Sequence, residues 1–287
     1  YDLFHQPFGL LRLGEWLQRS GYAVELLDCL APRSRTDAPG RGKFQRQVLE
    51  TPACLRGAGR KFARYGRPEP EIRGRLQEAR PDLVLVTTGM TYWYPGVREI
   101  GRLARELLPD VPVVAGGIYS TLLPGHCSAQ LQTDLIVAGA ADAARAPGRG
   151  GSGAPAAGAG SLGAVLDQLG LPAPEGRVPY QPSVSLTGQS VRFTEAAAIR
   201  LHEGCTHRCA YCASPVISPR FSPGRAESLL AHVAALYERY GVTSFAFYDD
   251  ALLKRRDTGL VPFLLGVIER FGERELRFYL PNAVHVE

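Results

Sequence analysis

The chain has 287 residues, a length that suits one large or two ordinary domains and allows a buried core. Its hydrophobic content of 45% and charged content of 21% are those of an ordinary globular protein and exclude wholesale disorder. No run approaches the roughly 18 apolar residues of a spanning helix, and the first residues do not resemble a secretory signal. We therefore expect a cytoplasmic protein without a membrane partner.

The net charge of +5 is unevenly distributed along the chain. Residues 31–80 carry 13 Lys and Arg against 5 Asp and Glu, and only three of the 33 basic residues in the whole chain are Lys. A basic segment can attract nucleic acid, but this one lacks repeated interleaving of aromatic and basic residues. We interpret it as an Arg-rich solvated surface and expect no nucleic-acid partner.

The first half of the chain alternates between helical and strand patterns. The predicted elements are helix 8–19, strand 23–27, a loop with a short helix near 43–50, helix 70–80, strand 83–88, helix 97–108, and strands 111–115 and 135–137. Strands that alternate with helices predict a parallel sheet covered on both faces.

The composition changes at residues 138–160, where 17 of 23 residues are Ala or Gly, which predicts a flexible linker. The elements predicted beyond it are helix 161–169, a hairpin near Thr187 and Gly188, strand 198–202, helix 225–240, strand 243–248, helix 259–271 and strand 275–280. Three strands and two helices are too few to close a barrel, so we expect the second domain to be incomplete. The predicted domains are residues 1–140 and 196–287, with 141–195 as the linker and connecting segment.

Three of the six cysteines crowd into one loop, GCTHRCAYC, at Cys205, Cys209 and Cys212. Three thiolates on a tight loop can hold three irons of a cubane cluster and leave the fourth iron open to a substrate or cofactor. A structural zinc site is the alternative, because His202 or His207 could supply the fourth ligand that a closed zinc site needs.

The spacing Cys-x3-Cys-x-aromatic-Cys, after a short strand and before a helix, resembles that of the radical S-adenosylmethionine (SAM) enzymes. The runs IRLHEGCTHRCAYCAS, FYDDALL at 247–253 and FYLPNAVH at 278–285 resemble the ends of the first three strands of that family's partial (β/α)6 barrel. The resemblance implies that Cys205, Cys209 and Cys212 ligate a [4Fe-4S] cluster whose open iron binds SAM. It also implies reductive cleavage of SAM to a 5′-deoxyadenosyl radical, a reductant such as flavodoxin or ferredoxin, and a small-molecule or peptide substrate.

The resemblance also suggests residues that contact SAM. It places Tyr211 near the adenine. Asp249 and Asp250 follow a strand, where a carboxylate could accept a hydrogen bond from the SAM ammonium group; a solvated pair at a helix start is the alternative. The family's usual motif here is glycine-rich and ends in Glu, whereas this chain has Tyr-Asp-Asp, so both carboxylates stay candidates. Asn282, after the third strand, is a further candidate.

Residues 5–30 and 82–139 resemble the cobalamin-binding-like domain that precedes many radical SAM barrels, through the stretches HQPFGLLRLGEWLQRSGYAVELLD, PDLVLVTTGMT, VPVVAGGIYSTLLPGH and TDLIVAG. That domain is doubly wound and Rossmann-like, with its ligand at the carboxyl edge of the sheet. We expect Thr87, Thr88, Gly116 and Gly117 to meet the nucleotide tail of a cobalamin. The domain's usual first strand is absent here, so we expect the N-terminus to be incomplete.

The Asp-x-His-x-x-Gly signature that supplies a lower cobalt ligand is absent, so a bound cobalamin would lack histidine ligation. A Rossmann-like module without cobalamin is the alternative. The sequence thus predicts an α/β radical SAM enzyme, with methyl transfer to an unactivated carbon or phosphorus if cobalamin binds and hydrogen abstraction if it does not. A non-enzymatic iron–sulfur or zinc module, or an incomplete chain that binds a cluster without turnover, stays open.

Overall fold

A computed structural model of the chain describes residues 6–30, 32–35, 42–59, 61–139, 161–194 and 196–282. The described α-helices are α1 Phe8–Arg19, α2 Glu69–Ala79, α3 Tyr94–Leu107, α4 Ile118–Leu122, α5 Pro124–Gln130, α6 Leu162–Gln168, α7 Val184–Thr194, α8 Ser214–Ile217, α9 Ala226–Tyr240 and α10 Leu260–Phe271. The described strands are β1 Pro32–Arg35, β2 Gly42–Phe44, β3 Arg46–Val48, β4 Ala63–Tyr65, β5 Val84–Thr87, β6 Val113–Gly116, β7 Leu135–Ile136, β8 Ala197–Ile199, β9 His202–Glu203, β10 Ser222–Pro223, β11 Ser244–Phe247 and β12 Arg277–Tyr279. Short 3-10 helices span Ala53–Ala58, Thr91–Trp93 and Arg256–Thr258. Most of the predicted Ala/Gly linker, and residues 140 and 195 at the predicted domain boundaries, lie outside these ranges.

The first sheet is parallel, with the strand order β5-β6-β7. Successive side chains of a strand point to opposite faces. Accordingly, Val113 packs with Ala104 on one face of the sheet, while Val114 packs with Trp16 and Leu166 on the other. Helices thus cover both faces, and the predicted doubly wound α/β domain is confirmed.

The second sheet is also parallel, with the order β12-β11-β8. Phe245 of β11 lies between Ala197 of β8 and Phe278 of β12, and all four β11 residues are buried. The core of this sheet includes Leu229 of α9 and Phe263 of α10. This succession of strands and helices is the predicted first part of a β/α barrel.

The predicted hairpin near Thr187 and Gly188 is wrong, because these residues lie within α7. A Cβ atom at Gly188 would lie 2.6 Å from the ring of Tyr240. The glycine therefore allows a close approach between helix α7 and the end of α9, and this contact between distant residues has no local sequence signal.

Two elements predicted for the first domain also differ. Residues 23–27 form no strand; this segment packs through side chains such as Val24, and its end is held where the N–H of Arg67 donates to the carbonyl of Cys29. The helix predicted near 43–50 is instead the strands β2 and β3, which pair antiparallel with β1 and β4. The β3 partner lies some distance along the chain, which local helical spacing cannot reveal.

The two sheets are joined by helix contacts. Helix α1 packs on α7, and α4, which follows β6, packs on α8, which follows the three cysteines within their loop. The carboxyl edge of the first sheet therefore lies beside the cysteine loop of the second. Of the helices in the described ranges, none combines the length and apolar character needed to cross a membrane.

Candidate functional site

The cysteine loop occupies residues 204–221, between strands β9 and β10, which pair antiparallel at its base. Gly204 opens the loop with φ at +76°, and a Cβ atom there would lie 2.6 Å from the carbonyl oxygen of Arg220. A side chain at this position would therefore both strain the backbone and overlap the returning chain. The glycine brings the start and the end of the loop together.

The thiols of this loop reach the surface: Cys209 and Cys212 are exposed, and Cys205 is partly exposed. The backbone N–H of His207 donates to Sγ of Cys205, and that of Ser214 donates to Sγ of Cys212, each at 3.4 Å. Hydrogen bonds of this kind to sulfur are among the contacts that tune iron–sulfur clusters.

The three thiols are not drawn together into a ready metal site in the part of the chain that the structure describes. Their donor set nonetheless fits three irons of a cluster. A fourth zinc ligand from His202 fits poorly, because its ring is buried against Phe221 and its Nδ1 accepts the N–H of Gly224 at 3.4 Å. The loop thus offers three thiol ligands, and His202 is not well placed to be a fourth.

Two of the isolated cysteines have a different environment. Cys127 is fully buried in the core of the first domain, and burial raises the pKa of its thiol to about 11. Burial, followed by the charge of Asp28, raises the pKa of Cys29 to about 12. Both thiols therefore stay protonated at neutral pH and are poor metal ligands.

The structure separates the two aspartates that the sequence pairs. Asp249 is 3% exposed, and its carboxylate accepts the backbone N–H of Leu201 at 3.0 Å and of His202 at 2.6 Å. Burial raises the pKa of Asp249 to about 6, and the two N–H bonds oppose that shift. Asp250 is exposed, so it is the member of the pair whose side chain can meet a ligand. The contact of either carboxylate with SAM stays a prediction.

Tyr211 and Asn282 occupy very different positions. The Tyr211 side chain is 92% exposed at the tip of the cysteine loop, and its predicted contact with adenine stays a prediction. Asn282 Nδ2 donates to the backbone carbonyl of Asp249 at 3.1 Å, so its side chain joins the ends of two neighbouring strands.

At the first sheet, Thr87, Gly116 and Gly117 lie together at the carboxyl edge. Thr87 Oγ1 donates to the Gly116 carbonyl at 3.0 Å. The φ of Gly117 is +90°, and a Cβ atom there would lie 2.2 Å from Thr87 Oγ1. Thr88 is engaged in a local turn in which its hydroxyl donates to the Met90 carbonyl at 3.2 Å. Their expected contact with a nucleotide tail stays a prediction.

Exposed apolar side chains surround this edge. Tyr92 and Trp93 belong to the 3-10 helix that contacts α4. Leu123 directly follows α4, and Val216 lies on α8, which α4 also contacts. Exposed apolar surface next to polar loop ends is typical of a site for a large organic ligand. Sequence spacing did not single out these residues, because they come from three separate segments.

A polar cluster at the base of the cysteine loop was also missed. Glu203 forms an ion pair with Arg200 at 3.0 Å and accepts from Arg12 at 3.5 Å, and both guanidinium groups lie over the ring of Tyr180. The sequence shows Arg200 and Glu203 flanking the strand before the cysteines, but the approach of Arg12 is visible only in the fold.

These two sheets, with the cysteine loop after the first strand of the second sheet, define a class of fold. It is a doubly wound, Rossmann-like α/β domain followed by the first part of a β/α barrel, the fold class that the sequence predicts. The model of the B12 binding domain family matches residues 53–147. No curated protein has a sequence that matches the chain.

Two solved structures of a radical S-adenosylmethionine methyltransferase, TsrM from Kitasatospora setae, share this fold. One, with its tryptophan substrate and the SAM analogue aza-SAM bound, is 18% identical with a TM-score of 0.59, over 96% of this chain and 51% of that one. The other, with cobalamin and a [4Fe-4S] cluster bound, is 18% identical with a TM-score of 0.57, over 95% and 52%. The present chain therefore spans about half the length of these proteins, and at this identity the likeness establishes the fold alone.

Proposed function

We propose that the chain forms part of a cobalamin-dependent radical SAM enzyme, and that Cys205, Cys209 and Cys212 hold a [4Fe-4S] cluster. Support comes from the contact between α4 and α8, because it sets the carboxyl edge of the B12-binding-like sheet beside the cysteine loop. A cobalamin at that edge and SAM at the cluster would then be neighbours. The TsrM structure that holds cobalamin and a [4Fe-4S] cluster adds to this support.

The residues of this chain would act by binding and orientation. The three thiolates hold the cluster, and the exposed Asp250 carboxylate accepts a hydrogen bond from the SAM ammonium group. The small Gly117 and the short Thr87 side chain leave space for the cobalamin tail at the edge of the first sheet. The exposed apolar side chains near α4 would cover the corrin ring. When bound, the cluster supplies the electron that cleaves SAM, and the cobalamin carries a methyl group to the substrate.

The reductant, such as flavodoxin or ferredoxin, and the small-molecule or peptide substrate stay part of this proposal. The exposed position of Cys209 and Cys212 would leave the cluster within reach of a protein reductant. When cobalamin is bound, the reaction we propose is transfer of a methyl group to an unactivated carbon or phosphorus of the substrate.

Anaerobic reconstitution with iron and sulfide tests the cluster directly. We expect about four irons per chain, and none after Cys205, Cys209 and Cys212 are changed together to Ala. The matched control changes Cys29, Cys54 and Cys127 to Ala and should keep the iron. One equivalent of zinc with no iron uptake would refute the cluster and favour the zinc module.

Two further measurements test the rest of the proposal. The reconstituted protein should cleave SAM when a reductant is added, and it should bind hydroxocobalamin at tens of micromolar. A protein that carries the cluster but leaves SAM intact would match the alternative of a chain without turnover. A protein that takes up no cobalamin would retain the radical SAM assignment and lose methyl transfer.

A further inference from the structure

Asp249 lies at a junction of three strand ends. It follows β11, and its two carboxylate oxygens accept the backbone N–H groups of Leu201 and His202, the second and third residues after the end of β8. Its own backbone carbonyl accepts from the side chain of Asn282, beyond β12. One buried residue thus joins all three strands of the second sheet at their carboxyl ends.

The clamped amides lie directly before the cysteine loop. His202 and Glu203 form β9 and pair with Pro223 and Ser222 of β10, so the clamp adjoins the base of the loop. Cys205 follows only three residues after His202, with Gly204 packed tightly against the returning chain. There is little slack between the carboxylate and the first thiol.

The surroundings of Asp249 favour such a role over ligand binding. Its side chain is 3% exposed, and each oxygen already has a backbone N–H partner. A buried carboxylate with satisfied oxygens is costly to redirect toward a ligand, because its amide donors would be left unpaired. Its neighbour Asp250 is exposed and carries the same functional group.

We propose that Asp249 is a positioning residue that fixes the start of the cysteine loop through the Leu201 and His202 amides, supported by Asn282, and does not bind SAM. This inference rests on the proposed function, because the loop is taken to hold the cluster. It divides the aspartate pair: Asp249 holds the loop that carries the thiols, and Asp250 meets the SAM ammonium.

The test compares Asp249→Asn with Asp250→Asn, the same chemical change at the neighbouring exposed position. An Asn at 249 keeps one acceptor and turns an NH2 group toward a backbone N–H, so one bond is lost. We expect exchange of the Leu201 and His202 amides with solvent deuterium to accelerate about tenfold or more, and iron loss to a chelator to accelerate similarly. Asp250→Asn should change both rates less than about twofold and weaken SAM affinity about tenfold or more.

Two more variants keep the inference open to refutation. Val233→Ala, in the buried core of the same domain, controls for loss of stability alone. If it lowers the melting temperature as much as Asp249→Asn and releases iron equally fast, Asp249 does not act on the loop in particular. Should Asp249→Asn fail to fold, Asn282→Ala at the exposed side of the junction should still accelerate exchange and iron loss about two- to fivefold.

The outcomes separate this inference from the proposed function. Rapid amide exchange in Asp249→Asn, in a protein whose wild type takes up no iron, would support the clamp and refute the cluster. Wild-type protein with about four irons, and an Asp249→Asn variant with unchanged exchange and iron loss, would support the cluster and refute the clamp.

Discussion

The carboxyl edges of the two parallel sheets are each held by side-chain hydrogen bonds to the backbone, but the side chains are donors at one edge and an acceptor at the other. At the first sheet, hydroxyl groups donate to backbone carbonyls: Thr87 to Gly116, Ser120 to Val137 at 2.8 Å, and Thr121 to Gly117. At the second sheet, the carboxylate of Asp249 accepts from backbone amides. The first edge is neutral, whereas the second depends on a buried ionisable group.

This difference suits different tasks. A neutral edge of small residues and short hydroxyl groups lets a large ligand approach the backbone closely. The second edge must instead support an exposed loop of 18 residues whose thiols reach the surface. A buried carboxylate that accepts two backbone hydrogen bonds provides a firm attachment for that loop.

The largest expected effect tests whether the two regions unfold separately. Phe263 is fully buried in the core of the second sheet, beside Phe247 and Phe278, and Phe263→Ala should destabilise that region by about 3–5 kcal/mol. Leu103→Ala, in a core cluster of the first region, should cost about 2–5 kcal/mol there. Hydrogen exchange followed by mass spectrometry should show faster opening confined to the mutated region. If both variants accelerate exchange in both sheets equally, the regions are one cooperative unit.

A smaller effect is expected at the neutral edge itself. Gly117→Val places a β-branched residue at a φ of +90° and sets its Cβ against the Thr87 hydroxyl, so it should destabilise the first region by roughly 2–4 kcal/mol. Cobalamin uptake should be lost, while iron uptake by the cysteine loop, whose thiols do not contact Gly117, stays at the wild-type level.

The neighbouring Gly116→Ala is the matched control for the loss of stability alone, since the nearest atom to its added Cβ is 3.8 Å away and its φ is not in the left-handed region. Equal denaturant midpoints for Gly117→Val and wild type would show that this edge tolerates a side chain.

The smallest effect distinguishes the ionisable edge from the neutral one by pH. The pKa of Asp249 is about 6 in the folded chain, above its unfolded value near 3.8, so the folded state binds more protons between these values. The contribution of this residue to stability is therefore fully present below pH 3.8 and is lost as the pH rises through 6. The loss amounts to about 2–3 kcal/mol.

Denaturant unfolding of the iron-free chain at several pH values between 4 and 7 measures whether the stability contributed by Asp249 falls as the pH rises. The stability of wild type relative to Asp249→Asn should fall as pH rises, whereas that of wild type relative to Thr87→Ala should stay level. A level difference for Asp249→Asn would place the folded pKa of Asp249 at its ordinary value.

Periodic patterns in the sequence predicted the elements that depend on local burial. Helix 8–19 and the strands at 83–88 and 243–248 appear close to their expected positions, because apolar spacing selects the face that each element buries. The alternation of strand and helix likewise predicted two parallel sheets, and the crowding of three cysteines marked the loop after β8.

Only the tertiary structure decided which polar groups meet. In the sequence Asp249 and Asp250 are equivalent neighbours at the end of a strand. Their side chains meet different surroundings in the fold, because Asp249 is buried against two backbone amides and Asp250 is exposed. Gly188 predicts a turn by itself and is instead a point of close helix packing against Tyr240. Composition and spacing determined the elements and the thiol loop, whereas the partners of each polar group depended on contacts between residues far apart in the chain, which no local pattern records.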